Sequence, residues 1–461
     1  MAKKQETRPA SGTRDFLPDD VARRQRVTRV IEQVYRSYGF LPLETPSFER
    51  LETLLGKYGD EGDQLVFKIL HRGQPLVDGI RNASTYLGTE GAIIRGRSGE
   101  IAPGAERLLA DMGLRYDLTV PLARVVAEYQ GKLPMPFKRY QIQPVWRADS
   151  PGKGRFREFW QCDVDVVGSS SEVVEMELCA AVSEVLERLG FAEFELLLNH
   201  RQLLRAIVAV SGISAELEGP AIVAIDKLDK VPADAVKREL LAKGVPETAA
   251  DALLGLVLES PTLEALARQL DGSEIGKAAI TSVGRVLELG AATRAAAHLK
   301  FEPSLARGLG YYTGNIFEIR VKDLAGSLGG GGRYDGLIGT FSGRDSPACG
   351  FSLGLERILV VMEDRKMFGD HVAPFDVALC AAKDQDLVRA VKLAAALREK
   401  GLSVDFAPGP TKPSKLRKAA DDRNAPNAVW VEDGKIGLWQ KASGAIETVE
   451  EPEILTRLGG G

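Results

Sequence analysis

Three arginines in this chain stand where a guanidinium could do chemistry. Arg147 closes a strand-like stretch, Arg307 precedes a glycine-punctuated turn, and Arg357 follows a Gly-rich strand into a helix. Arginine is a fixed cation whose forked donors match a carboxylate or a phosphate. Such cations on rigid elements beside Gly-rich backbone are what a polyphosphate site needs, because phosphoryl and adenylyl transfer depend on positioning and charge neutralisation. Taken singly, such an arginine is more often an ordinary surface or salt-bridging residue. Two adjacent phenols, Tyr311 and Tyr312, follow Arg307, with Gly308, Gly310 and Gly314 around them. Gly272-Ser-Glu-Ile-Gly-Lys-Ala278 resembles a phosphate loop only superficially: its spacing is one residue short and Ala278 replaces the hydroxyl. No dinucleotide fingerprint is present either.

The elements that must position these groups follow from periodicity. After Tyr312, Phe317, Ile319 and Val321 alternate with Glu318 and Arg320, the pattern of a strand. Residues 137–146 and 155–167 read as strands joined by the turn-rich 147–154, an antiparallel hairpin with a long tip. Ser169 with Glu172 is placed to cap a helix that ends near Gly190. Val27, Val30, Ile31 and Val34 have helical spacing within residues 21–38. Pro42 and Pro46 bracket an extended segment, and 72–110 reads as a long loop. Pro121 opens a helix through Tyr129. Between 201 and 300 Ala and Leu at helical spacing predict a helical insertion, which makes the core discontinuous in sequence. Gly329 to Gly336 reads as a backbone-rich loop, and residues 348–361 as a short strand entering a helix. Beyond Pro374, strands at 375–382, 402–406 and 428–431 alternate with a helix at 386–400, predicting a small α/β domain with a largely parallel sheet.

A chain of 461 residues, 44% apolar and 27% charged, holds two or three domains with real cores. No apolar run approaches the length of a membrane span, and the first residues lack a secretory signal. Four cysteines and four histidines are dispersed without metal-ligand spacing, so neither a disulfide scaffold nor a metal site is expected, and a reducing cytoplasmic setting is. A net charge of −4 from 60 basic and 64 acidic residues means that any nucleic-acid partner must use local basic patches. Lys412, Lys415, Arg417, Lys418 and Arg423 form one such cluster.

Several of these stretches, read together, resemble one family. Arg147-Ala-Asp149, Arg155-Phe-Arg-Glu-Phe159 and Gly354-Leu-Glu-Arg357 are similar to the second and third signature motifs of class II aminoacyl-tRNA synthetases. Arg307-Gly-Leu-Gly-Tyr-Tyr-Thr-Gly314 and Gly331-Gly-Arg-Tyr-Asp-Gly336 resemble the histidine-specific motifs of histidyl-tRNA synthetases. Residues 11–18, 115–121 and 224–230 are also similar to that family, and the likeness covers nearly the whole chain.

The resemblance implies an α+β fold: a class II synthetase-like antiparallel sheet flanked by helices, a helical insertion and a C-terminal α/β anticodon-binding-like domain. The boundaries it implies are 1–200 and 301–370 for the catalytic core, 201–300 for the insertion and 374–461 for the last domain. It implies activation of L-histidine with ATP and transfer to tRNA(His), in a homodimer built near residues 41–55, with Mg²⁺ bound mainly through the phosphates. Carried over residue by residue, Arg147 holds the α-phosphate, Asp149 lies by the adenosine and Arg357 clamps the far end of the triphosphate. Arg307 bridges the amino-acid carboxylate and the α-phosphate. Asp117, Thr119 and Gln161 surround the α-amino group, while Asp165 and Tyr312 grasp the imidazole. Tyr311 stands with them, core packing being favoured for it. A carboxylate and a phenol at opposite ends of the ring would reject apolar rivals by about 10⁴–10⁵, because those rivals leave buried polar groups unpaired. Gly310 replaces a common Asp, and Asp117 is shorter than the Glu of many bacterial members. The rival readings are a regulatory paralogue that does no catalysis, such as the regulatory subunit of ATP phosphoribosyltransferase, and a sensor of uncharged tRNA.

Overall fold

The computed structural model describes residues 7–86, 94–95, 100–101, 105–228, 231–259, 262–306, 310–324, 326–369 and 374–458. They form two compact units, one of residues 7–15 and 24–367, the other of 16–23 and 368–458.

The first unit is organised on an eight-stranded sheet. In chain order its strands are β1 (Leu41–Pro42), β2 (Phe137–Trp146), β3 (Glu158–Val167), β4 (Glu195–His200), β5 (Leu299–Phe301), β6 (Asn315–Arg320), β7 (Ser327–Arg333) and β8 (Ala348–Gly354). The spatial order is β1-β2-β3-β8-β7-β6-β4-β5, antiparallel throughout except for the outer pairs β1–β2 and β4–β5. The predicted hairpin is β2–β3, in register from Phe137 opposite Val167 to Trp146 opposite Glu158. Helix α1 (Pro18–Ser37) buries Val27, Ile31 and Val34 of the predicted stripe completely, while Val30 is half-buried.

Four differences from the sequence reading have physical causes. Gly329 to Gly332 lie inside β7, a central strand rather than a loop. The neighbouring backbones come so close that a Cβ at Gly329 would sit 2.5 Å from the Ser352 carbonyl oxygen, and one at Gly332 2.7 Å from that of Asn315. Residues 72–110 are not all loop: Gln74–Tyr86 is a helix, and Ala110–Leu114 pairs with Phe48–Arg50 and Lys68–Leu70. Val77 and Ile80 of that helix are exposed, so no buried stripe advertises it. The capping box fails because α3 (Val173–Arg188) starts four residues after Ser169; Glu172 takes the cap position without a side-chain bond. At the other end of α3 the expected stop holds, with Gly190 at φ 90°.

Helices Arg201–Val210, Glu218–Ile225, Ala233–Ala242, Glu247–Glu259, Leu263–Gln269 and Glu274–Gly290 occupy the 201–300 stretch around their own core of Leu203, Ile207, Ile222, Leu240 and Leu253. The phosphate-loop look-alike is the start of the last of these helices, where Ser273 Oγ accepts from the Gly276 N–H at 3.1 Å.

The second unit carries the fourth difference. Its strands β9 (Val377–Ala381), β10 (Val404–Phe406), β11 (Asn427–Glu432), β12 (Lys435–Gln440) and β13 (Ile446–Val449) are ordered β10-β9-β11-β12-β13. Only β9 pairs in parallel, with β10 and β11; β11–β12 and β12–β13 are antiparallel. The hairpin turn is Asp433-Gly434, with φ of 47° and 74°, the left-handed pair that a two-residue turn demands.

Candidate active site

On one face of the eight-stranded sheet is a cavity of about 600 Å³. Its lining includes Gly329, Gly330 and Gly331, so a strand without side chains forms part of the wall. The same backbone crowding that excludes Cβ atoms from β7 therefore leaves room for a ligand.

Arg147 reaches the cavity from just past the end of β2. Its backbone N–H donates to the Arg157 carbonyl across the hairpin at 2.9 Å, and its Nε to the Tyr116 carbonyl at 3.1 Å. The guanidinium carbon lies 4.1 Å from the Tyr116 ring centroid and 5.2 Å from that of Phe159, within cation–π range of both. With Nε occupied, the Nη pair forms the fork available to an anion. Asp149 also lines the cavity, its carbonyl accepting from Arg157 Nε at 3.1 Å. From the opposite side Arg357, in the first turn of α4 (Leu355–Asp364), donates from Nη1 to the Ser327 carbonyl at 2.6 Å. Arg307 lies outside the described residues.

The other lobe is acidic and phenolic. Asp117, 1% exposed, accepts from Tyr58 Oη at 3.1 Å and the Val120 N–H at 3.1 Å on Oδ1, and from Tyr311 Oη at 3.0 Å on Oδ2. Burial raises its pKa, against the Val120 N–H, the Arg147 charge and the two phenols, which favour the anion. Thr119 opens α2 (Thr119–Tyr129) beside it and also lines the cavity. Gln161 of β3 donates from Nε2 to Ser352 Oγ of β8 at 2.9 Å, while its buried Oε1 has no hydrogen-bond partner among the described residues. Tyr311 and Tyr312 both line the cavity, their rings T-shaped at 5.1 Å and 73°. Tyr311 both packs and bonds, since its hydroxyl is committed to Asp117. Burial, with Asp117, Asp163 and Asp165 nearby, raises the Tyr312 phenol and keeps it protonated.

Asp165 is not in the cavity lining. It is 2% exposed and accepts from Tyr334 Oη at 2.5 Å on Oδ1. Arg139 Nη2 pairs with its Oδ2 at 2.8 Å, off the line of a hydrogen bond, so that oxygen retains acceptor capacity. Burial raises the Asp165 carboxyl, and Arg139 and Tyr334 oppose the rise.

Sequence reasoning missed Arg139, Tyr334 and Ser352 as parts of this apparatus, and the cavity-lining carboxylates Glu318 and Glu356. Glu356 ties the sheet together: Oε2 accepts from the Trp160 N–H at 2.8 Å and Oε1 from Arg24 at 2.8 Å. The alternation around Phe317 already separated Glu318 from the apolar face, and Glu356 lies within the quoted Gly354–Arg357 motif; those were the available signals. No group of three or more metal-ligating side chains occurs among the described residues.

A mostly antiparallel sheet bearing an arginine-flanked cavity that opens onto an acidic, phenolic lobe has the layout of an aminoacyl-tRNA synthetase core. The chain belongs to the histidyl-tRNA synthetase family, whose model matches residues 12–85 and 107–358. It is similar to a histidine–tRNA ligase of Gloeobacter violaceus, 40% identical over 96% of this chain and 95% of the relative. A histidine–tRNA ligase of Flavobacterium johnsoniae is likewise 40% identical, over 96% of each chain. The crystal structure of histidyl-tRNA synthetase from Nostoc sp. PCC 7120 superposes with a TM-score of 0.79 at 26% identity, over 99% of this chain and 100% of that one.

Proposed function

We infer that this protein is a histidine–tRNA ligase, which activates L-histidine with ATP and transfers it to the 3′ end of tRNA(His). A histidine carboxylate oxygen bonds to the α-phosphorus, and the bond from that phosphorus to the bridging oxygen breaks to release pyrophosphate. A ribose hydroxyl of the terminal tRNA adenosine then attacks the activated carbonyl carbon and expels AMP. The Arg147 fork draws charge from the α-phosphate as it becomes pentavalent, and Arg357 holds the far phosphates. Arg307 bridges carboxylate and α-phosphate. Asp149 lies by the adenosine. Asp117, Thr119 and Gln161 receive the α-ammonium, while Tyr312 and Asp165, which is not among the lining residues, receive the imidazole.

The observation that carries this reading is the shared cavity: Arg147 and Arg357 line the same space as Asp117, Gln161 and Tyr312. Mg²⁺, held mainly through the phosphates, would add positive charge to the triphosphate when bound. A regulatory paralogue would have no use for paired arginines in such a place. Residues 1–200 and 301–370 make the catalytic core, 201–300 the insertion and 374–461 the anticodon-binding domain, in a cytoplasmic homodimer. The test is histidine-dependent ATP–pyrophosphate exchange, followed by aminoacylation of a tRNA(His) transcript. Absence of exchange at saturating histidine, ATP and Mg²⁺ overturns the reading.

A further inference from the structure

We propose that Arg115 and Tyr116 are positioning residues that aim the Arg147 fork at the α-phosphate. The inference rests on reading Arg147 as the α-phosphate ligand and adds to it the groups that set where that fork points.

Arg115 is 0% exposed, yet its hydrogen bonds go to neutral oxygens. Nη1 donates to the Thr45 carbonyl at 2.6 Å, the Pro46 carbonyl at 3.1 Å and Gln143 Oε1 at 2.9 Å, and Nε donates to the Pro144 carbonyl at 2.8 Å. None of these acceptors carries a charge that would offset the burial of a cation. What the guanidinium secures is geometry, because its donors tie residues 45–46 to residues 143–144 at the end of β2. Arg115 and Tyr116 then take hold of the backbone that leads into Arg147. The Arg115 carbonyl accepts from the Trp146 N–H at 3.1 Å, and the Tyr116 carbonyl accepts from Arg147 Nε at 3.1 Å. Residues 144–147 are therefore fastened to two consecutive residues at three points.

The Tyr116 ring supplies a fourth. Its centroid lies 4.1 Å from the guanidinium carbon of Arg147 and 4.5 Å from the ring centroid of Tyr58, whose hydroxyl donates to Asp117. With Nε bound to the carbonyl beside that ring, the edge that Arg147 turns to the cavity follows the position of Tyr116. Placement of this kind governs rate: a displacement of about 1 Å at a group acting in the transition state can cost about a hundredfold.

The test is a double-mutant cycle on steady-state pyrophosphate exchange, with urea denaturation of each variant alongside. Arg115→Lys keeps the charge but has no planar fork to span the carbonyls. It should lower kcat about ten- to a hundredfold while the KM values for ATP and histidine move less than about threefold. In an Arg147→Ala background the same change should move kcat less than about twofold, because no fork remains to be aimed. A role in stability alone predicts the same fold loss in both backgrounds. That result overturns the proposal, as does an unchanged kcat or a loss carried by KM. Should Arg115→Lys fail to fold, Tyr116→Leu removes the ring and leaves both carbonyls in place. It should lose kcat only where Arg147 is present, and Tyr116→Phe, which keeps a ring under the guanidinium, should recover the rate. Full activity in Tyr116→Leu, or a loss that persists without Arg147, overturns the proposal. Wild-type exchange in Arg147→Ala itself would instead bring down the reading of Arg147.

Discussion

Replacing Arg139 by methionine removes the one guanidinium that two buried carboxylates share. Arg139 is fully buried, with Asp165 at 2.8 Å and Asp163 at 3.9 Å. At an effective dielectric constant of about 20, those separations correspond to attractions of about 6 and 4 kcal/mol, part of which is offset by no longer desolvating the guanidinium. The net loss expected for stranding buried charge is about 3–5 kcal/mol near pH 8. The sign of its pH dependence follows from linkage. Burial raises both carboxyls in the folded chain, so the native state holds protons that the unfolded chain has already released. Stability is greatest at low pH and is lost as pH rises through the folded pKa values. Removing Arg139 raises those values further, so the deficit of the variant should shrink between pH 8 and pH 6. Urea denaturation in a Trp430→Phe/Trp439→Phe background reads only Trp146 and Trp160, both in the first unit. A variant within about 1 kcal/mol of wild type at pH 8, or a deficit that does not shrink on acidification, would refute the idea that these aspartates are held ionised by Arg139.

Tyr311→Phe deletes one of the two phenol donors to Asp117, at 3.0 Å. The histidine KM should rise about tenfold or more in pyrophosphate exchange while the ATP KM stays put. Glu175→Gln breaks the buried bidentate pair with Arg333 Nε and Nη2, both at 2.6 Å. A loss of about 3–5 kcal/mol is expected in chemical denaturation, because Arg333 would be left buried beside a neutral amide. Gly350→Ala drives a methyl group into Asp165 Oδ1, so both stability and histidine binding should fall together. A loss under about 1 kcal/mol would mean that β3 and β8 can separate without cost.

The arginines and phenols near glycine-rich or turn-rich backbone were legible from the residues, and Asp117 through the family resemblance. Arg147, Arg357, Asp117 and Tyr312 were named in this way, and the structure gathers all four around one cavity. The groups that were missed are those whose partners are defined by strand register. Arg139 alternates along β2 like any strand residue, and nothing in its neighbourhood says that position 139 stands opposite Asp165. Register is set by the whole hairpin, so a partner 26 residues away stays unreadable until the pairing is known. The glycines of β7 misled for a different reason. Glycine weakens a strand in general, and four in succession read as a loop unless the closeness of both neighbouring strands is already known.

The two kinds of omission share one cause, which bears on how the site works. The glycine floor carries no side chain with which to tune charge, so the tuning there must come from the other walls and from the strands beside it. Arg139, Asp163 and Asp165 occupy positions on β2 and β3, and Ser352 on β8, which separates β3 from the glycine strand β7. The glycines admit the ligand, and the neighbouring strands set the electrostatics it meets. A side chain added to β7 and a charge removed from β2 should therefore fail differently: the first by excluding both substrates, the second by weakening histidine while ATP binds as before. Calorimetry of the two ligands on Gly330→Ala and on Arg139→Met separates these failures. If Gly330→Ala weakens histidine alone, the glycine strand is not the common floor that this division of labour requires.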